Sequence, residues 1–323
     1  MACEGVVSAT GTSVGPGAGS LWAITPYFNP MRYQRRRANY RLFRERLNLP
    51  LVTVELAYGP EFELTECDAE VLIQLRGRDV MWQKERLLNV ALGAVPSSCR
   101  KVIWTDCDIM VEMDDWSERV SRLLDRFLLV QAFSCVHHLS PDWKPDDTRA
   151  SVMFTQRSAV SAIGSGIPAA GLLAHPVPSG PVSTNKGLAW AARRELLDHC
   201  GFYDACIVGG GDLAMVAAAY GCFDVAMRNM NEKQKEHYLA WARTHHARCR
   251  AEIGFLDGPL FHLWHGDIKH RRYRERHAAL RRHAFDPFED IAHDDNGSWR
   301  WNSDKPELHE GVRGYFALRR EDG

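Results

Sequence analysis

The largely apolar run Lys101-Val102-Ile103-Trp104-Thr105 ends in Asp106-Cys107-Asp108, and this junction constrains the fold more than any other stretch of the chain. A strand sends successive side chains to opposite faces, so residues two apart share a face. Two carboxylates therefore leave the tip of a buried strand side by side, with Cys107 between them as packing. Like charges that close repel unless a cation neutralises them, and hard oxygen ligands suit Mg²⁺ or Mn²⁺. In a parallel sheet, ligands bind outside the C-terminal strand ends. A metal–diphosphate site is implied; the competing reading is a loop with two solvated or capping acids.

The surrounding pattern supports a parallel sheet. Leu21 to Thr25 reads as a first strand stopped by Pro26, followed by a basic helix from Arg32 to Leu47. Leu51 to Leu56 and Glu70 to Leu75 read as strands. Met81 to Ala94 reads as a helix with Leu88, Ala91 and Leu92 inward and Gln83, Lys84, Glu85 and Arg86 mostly outward. A helix over 117–126 precedes a strand from Phe127 to Phe133. Strands alternating with helices imply right-handed crossovers and an α/β fold.

Downstream, Pro168 to Lys186 reads as a mobile loop bordering a site, and 188–199, 213–220 and 231–250 as helices. Leu260 to Trp264 is strand-like, and a basic helix is expected over 269–282. The end, from Asp286 onward, reads as polar and irregular. The expected organisation is a flexible tail over 1–20, a domain over 21–290 in two halves, 21–135 and 136–290, and a tail over 291–323.

A formal net charge of -1 gives no overall drive toward nucleic acid or anionic membrane, and no stretch of eighteen apolar residues exists to span a bilayer. The nine cysteines form no CxxC pair, which leaves a zinc cluster unsupported. Free thiols and the lack of a secretory pattern point to the cytoplasm.

Three further groups carry chemistry. In Phe261-His262-Leu263-Trp264-His265-Gly266, an extended chain places the two histidines on opposite faces, so one of them, His265 at the strand end, is the expected metal ligand. Gly209-Gly210-Gly211-Asp212 opens a helix. Its aspartate is either a cap or a carboxylate offered to a sugar hydroxyl. The runs Arg32, Arg35, Arg36, Arg37 and Lys269, Arg271, Arg272, Arg274, Arg276, Arg281, Arg282 are solvated faces or phosphate contacts, with at most one functional residue expected in the first.

Taken in order, Ile24 to Pro30, Trp82 to Asn89, Trp104 to Ile109, Gly187 to Arg194, Gly209 to Asp212 and His262 to Gly266 resemble the GT-A glycosyltransferase superfamily over about residues 21–280. The resemblance implies a Rossmann-like, mostly parallel central sheet flanked by helices, with a helical C-terminal extension. It implies a hexosyltransferase-type enzyme using a nucleoside-diphosphate sugar, Mn²⁺ or Mg²⁺, and a hydroxyl acceptor of carbohydrate type. Residue by residue, Asp106 and Asp108 match the DxD pair that holds cation and donor, and His265 the histidine that completes the metal shell. Thr25, Arg32, Lys84 and Asn89 would lie on the nucleotide-sugar side. Trp190, Gly210 and Gly211 would lie on the acceptor side, and Asp212 would be the acidic residue that deprotonates or positions the acceptor. Arg271 or Arg272 would aid the leaving group. GGGD departs from the usual GGED or GGEN. The alternatives are a nucleotidyltransferase of related fold, against which the loop Pro26 to Pro30 argues, and a non-catalytic sugar- or nucleotide-binding protein.

Overall fold

The computed structural model describes residues 8–9, 21–174, 183–249, 252–273 and 275–323 of the 323-residue chain. The chain begins its order with β1 (Leu21–Phe28), α1 (Gln34–Arg46), β2 (Leu51–Ala57), β3 (Val71–Arg76), α2 (Lys84–Ala94) and β4 (Lys101–Thr105). β5 (Ile109–Met110), α3 (Trp116–Leu124), β6 (Leu129–Gln131), β7 (Cys135–Leu139) and β8 (Val152–Ser158) follow. Next come β9 (Thr184–Asn185), β10 (Ala189–Arg193), α4 (Arg194–Cys200), α5 (Gly211–Ala219), α6 (Glu232–Cys249), β11 (Ile253–Phe255) and β12 (Pro259–His262). The last are β13 (Ile291–His293), β14 (Trp299–Trp301) and α7 (Pro306–Ala317).

Among the described residues, the main sheet has eight strands in the order Ser8–Ala9, β3, β2, β1, β4, β10, β6, β11. It is mostly parallel: β10 runs antiparallel to both β4 and β6, and Ser8–Ala9 antiparallel to β3. A second sheet, β9-β8-β7-β12-β5, starts where β4 ends and the aspartate pair turns the chain into β5. Both faces of the main sheet are covered, which is why β2 reads as an unbroken buried run rather than an alternating one.

β1 continues through Pro26 to Phe28, beyond the stop expected at the proline. Pro26 lies past the part of β1 paired with β4, so no ladder bond is required of it on that side. The helix expected over 188–199 is instead a strand followed by a short helix. Ala189-Trp190-Ala191-Ala192 is buried on both faces between β4 and β6, and helix begins only at Arg194. The basic helix expected over 269–282 is reduced to a turn at Ile268–Arg271 and a short helix at Ala278–Arg282, separated by Arg272 in the left-handed region at φ 43°. Of the mobile loop expected over 168–186, residues 175–182 lie outside the described residues; Ala169–Leu173 is helical and Thr184–Asn185 is β9. The tail expected over 1–20 also lies outside them, except for Ser8–Ala9.

The end of the chain is not irregular. β13 and β14 form a hairpin, and Pro306 opens α7 at a position where its missing N–H is harmless. Leu308, Val312, Tyr315 and Phe316 recur on one face of α7 and are buried. Leu308 and Val312 share a core with Met81, Tyr203, Ile207 and Phe285. Gln83 ties this segment down from α2: its amide donates to the Trp299 carbonyl and accepts from the Trp299 N–H, both at 2.8 Å. Gln83, Lys84 and Glu85 are therefore buried rather than outward-facing.

Candidate active site

One cleft of about 490 Å³ opens where the two sheets meet, and Lys84, Asp106, Asp108, Gly210, Asp212, His262, His265 and Arg271 all line it. The hydrogen-bond register explains the convergence. β12 pairs with β5 on one side and β7 on the other, so His262 lies between Ile109 and His138. The Leu263 N–H donates to the Asp108 carbonyl at 2.8 Å, which fixes the strand end against the aspartate turn. β12 stops at His262, so the period of two stops with it. The chain then bends, and both His262 and His265 enter the cleft, contrary to the expectation that only one could.

Asp108, His262 and His265 bring ligand atoms within 4.8 Å of one another, all three buried. His265 Nε2 lies 3.1 Å from Asp108 Oδ2 and 3.2 Å from His262 Nε2; His262 Nε2 lies 3.6 Å from Asp108 Oδ1. Asp108 Oδ1 is buried with no hydrogen-bond partner. Burial holds both imidazoles neutral, His265 at about 3 and His262 well below its ordinary value. Burial, then the neighbouring Asp106, pushes Asp108 up to about 7. An orphaned carboxylate oxygen facing two neutral imidazoles fits a divalent cation of the Mn²⁺ type, for which imidazole is a better ligand than it is for Mg²⁺.

This cluster has a pH consequence. A carboxyl whose folded pKa is raised from 3.8 to about 7 is held protonated by the fold, so the metal-free protein loses stability as pH rises through that window. Metal binding requires the ionised carboxylate. The Mn²⁺-dependent gain in Tm is therefore expected to be small at pH 5.5 and to level off above about pH 7. A gain that is the same at pH 5.5 and 7.5 in a thermal-shift series would contradict this.

Asp106 is not in the cluster. Its carboxylate meets Lys84 Nζ at 2.6 Å, and the same ammonium reaches both oxygens of Asp212 at 3.0 and 3.1 Å. Burial alone would lower the Lys84 pKa, but Asp106 and Asp212 override it, and the net shift is well upward. Asp212 lies in the first turn of α5 and makes no cap bond; the N-cap position is Gly210. Capping therefore does not explain Asp212. Gly209 and Gly210 adopt φ of 82° and 112°, which a β-carbon disfavours, and Arg276 passes close over both. Burial raises the Asp212 pKa against the opposing pull of Lys84. Beneath this turn, buried Glu85 occupies the space where a Gly211 side chain would begin, and burial pushes Glu85 up to about 8.

Gly187 is the other fixed neighbour. A β-carbon there would lie 2.6 Å from Asp212 Oδ2. Gly187→Ala is expected to displace the Asp212 carboxylate and lower kcat at least about 10-fold, as small misplacements of catalytic groups do. Tm should change little, because the clash is with a side chain end at the cleft. An unchanged kcat in steady-state assays would remove Asp212 from the working site.

Several expected site residues do other things. Trp190 is fully buried, and its Nε1 donates to the Lys186 carbonyl at 2.9 Å, so it is core and cannot be an acceptor platform. The tryptophans that do line the cleft are Trp82 and Trp264. Asn89 faces away, clamping the Phe202 backbone through both ends of its amide and reaching Asp204 at 2.9 Å. Thr25 is buried and donates to the Thr105 carbonyl at 2.8 Å, a tie between β1 and β4. Arg32 is exposed, 3.4 Å from Glu61, and lines a separate cavity. Gly211 is buried and does not line the cleft.

Of the first basic run, Arg36 is the one that reaches the cleft, and of the second, Lys269, Arg271 and Arg276. Arg272 does not line it, and Arg274 lies outside the described residues. Nothing local in the chain around Glu321 marks it as a site residue. It is buried at the far end of the chain, takes Arg36 through two bonds of 2.9 and 2.7 Å and Arg319 at 2.6 Å, and lies 3.8 Å from His265 Nδ1. Arg36 and Arg319 together hold its carboxyl well below the usual range despite burial.

No family model matches the chain, and no curated protein matches it. Solved structures similar to it include the mannosyltransferase PcManGT from Pyrobaculum calidifontis in complex with GDP-Man and Mn²⁺ (15% identity, 92% of this chain and 69% of that one, TM-score 0.40). Others are S. aureus TarS 1–349 in complex with UDP-GlcNAc (12%, 77% and 60%, TM-score 0.39) and a 4-diphosphocytidyl-2C-methyl-D-erythritol synthase from Anaerococcus prevotii (11%, 74% and 88%, TM-score 0.35). The chain thus spans about six-tenths of the length of that TarS fragment. Likenesses of this degree assign no activity. The chain's own mostly parallel sheet, flanked by helices and carrying its aspartate pair at the tip of β4, is an α/β fold.

Proposed function

We propose that the chain is a metal-dependent glycosyltransferase that moves a sugar, of hexosyl type, from a nucleoside-diphosphate donor to a hydroxyl of a carbohydrate acceptor. The observation that carries this is the Lys84 ammonium. It joins Asp106 of the aspartate pair directly to Asp212, so the carboxylate suited to the acceptor sits one side chain from the aspartate pair, in the cleft that also holds the metal cluster.

Asp108, His262 and His265 would hold the cation, and a divalent ion there supplies Lewis acidity to the departing diphosphate. Arg271, whose guanidinium meets His265 at 2.9 Å, adds positive charge on the leaving-group side. Asp106, held by Lys84, faces the donor. Asp212 receives the acceptor proton at a carboxylate oxygen, and its upward-shifted pKa improves it as a base. Lys84 keeps that carboxylate aimed into the cleft. Displacement assisted by a base opposite the leaving group inverts the anomeric centre, and an inverted product is the expected outcome.

A panel of sugar nucleotides with Mn²⁺, read by thermal shift and by slow donor hydrolysis, tests this. At least one should stabilise the wild type and not Asp108→Ala. The reading fails if none does, or if Asp108→Ala responds equally. Turnover of a nucleoside triphosphate with a sugar 1-phosphate would favour the nucleotidyltransferase alternative instead.

A further inference from the structure

Each cluster imidazole has a second nitrogen, and what that nitrogen meets decides whether the first can bind a metal. For His265 the assignment follows from Arg271. A guanidinium only donates, and its Nη2 lies 2.9 Å from His265 Nε2, so that nitrogen carries a lone pair and the proton is on Nδ1. Nδ1 is buried without a hydrogen-bond partner, and the Glu321 carboxylate lies 3.8 Å from it, an ion-pair rather than a hydrogen-bond distance.

For His262 the assignment follows from a buried relay. The Gln156 amide donates from Nε2 to Ser183 Oγ at 2.7 Å, which turns Oε1 toward His138 Nε2 at 2.9 Å. An amide oxygen only accepts, so His138 carries its proton on Nε2 and offers a lone pair at Nδ1. His262 Nδ1, 3.1 Å away, is then the donor, and His262 Nε2 is left with a lone pair. The outcome is two imidazole lone pairs 3.2 Å apart, beside a carboxylate oxygen with no hydrogen-bond partner. Acceptors turned toward one another repel unless positive charge lies beside them; the Arg271 guanidinium supplies it at His265 Nε2, and a divalent cation would replace that hydrogen bond.

We propose that in the centre of Asp108, His262 and His265, Gln156, acting through His138, and Glu321, behind His265, are positioning residues that keep Nε2 of each imidazole turned toward the metal position, His265 Nε2 being released to the metal by Arg271. This rests on the metal-dependent reading above and deepens it. Two imidazoles bias the site toward Mn²⁺, Co²⁺ or Zn²⁺ over Mg²⁺. It also makes residues from β7, β8 and the segment after α7 part of the centre.

Co²⁺ is the probe, titrated into the whole chain without donor and read by its visible d–d absorption and by Kd, with Mn²⁺ competition. His262→Ala should change the spectrum, because a nitrogen ligand is lost, and weaken binding. Gln156→Leu should leave the ligand set and spectrum largely intact but weaken Kd about 10- to 100-fold, the usual cost of losing an outer-shell partner. Gln156→Glu, whose carboxylate can only accept from His138, should restore most of that affinity. The Tm of each metal-free variant checks folding; if His262→Ala is unfolded, the Gln156 pair decides. If wild type binds Co²⁺ and His262→Ala matches it in spectrum and Kd, the inference is overturned while the transferase reading stands. It is overturned equally if Gln156→Leu and Gln156→Glu bind alike. If wild type binds neither ion, both readings fall together.

Discussion

Asp108→Ala is expected to abolish Mn²⁺-dependent stabilisation and to reduce sugar transfer by about 10³-fold or more. The Lewis-acid contribution of a bound cation amounts to several kcal/mol, and each 1.4 kcal/mol is tenfold in rate. Asp108 is the one carboxylate in the three-residue cluster, and its orphaned Oδ1 makes it the group with most to gain from a cation. Asp106→Ala should behave differently. It leaves the cluster intact but strips Lys84 of its 2.6 Å partner, so metal affinity should persist while donor binding weakens. Isothermal titration of Mn²⁺ into the two variants separates them. Equal losses of metal affinity in both would show that the cation bridges the pair, and the division of labour between the two aspartates would be wrong.

Asp212→Asn is expected to lower kcat by about 10²- to 10⁴-fold, the range that general-base catalysis supplies, with little change in the donor KM. The amide keeps the size of the carboxylate and can still accept from Lys84 through one oxygen, so the loss is of proton acceptance rather than of shape. In wild type the rate should rise with pH as Asp212 ionises, and this limb should vanish in Asp212→Asn. Lys84→Met provides the contrast. Without the ammonium, burial and Asp106 act on Asp212 against Arg276 alone, so its pKa should rise further and the ascending limb should move to higher pH. A kcat for Asp212→Asn near that of wild type, with the acid limb preserved, would place the base elsewhere, and Glu85, which also lines the cleft, is then the carboxylate to examine.

How much of this was legible in the sequence depends on how local the determining contact is. The pair at Asp106 and Asp108 could be read because a strand of period two puts both at one tip. The first three strands were legible from their apolar runs and α1 from the helical spacing of Tyr40, Phe43 and Leu47, although Pro26 did not end β1. Trp190 was misread because Ala-Trp-Ala-Ala-Arg satisfies helical propensity, and nothing local says that β4 and β6 flank it on both sides. Gln83, Lys84 and Glu85 look like an outward polar stretch, yet each is buried by a partner far along the chain: Trp299, Asp212 and the Gly211 turn. The histidine pair was half read, since the end of β12 at His262 is set by pairing with β5 and β7. α7 could have been found from Pro306 and the spacing of Leu308, Val312, Tyr315 and Phe316. Glu321 could not: its bond to Arg36 spans 285 positions.

Gly266 gives that last contact a consequence. With φ at 88°, it leaves room for the backbone of the C-terminal segment to cross just beyond His265, and a β-carbon there would lie 2.8 Å from the Arg320 carbonyl and 2.9 Å from that of Arg319. Glu321 is delivered to Arg36 and His265 only by this crossing. The last residues of the chain thus form part of the wall behind His265, and the histidine end of the cleft is complete only once they have docked across Gly266. Contacts over so long a sequence separation slow folding.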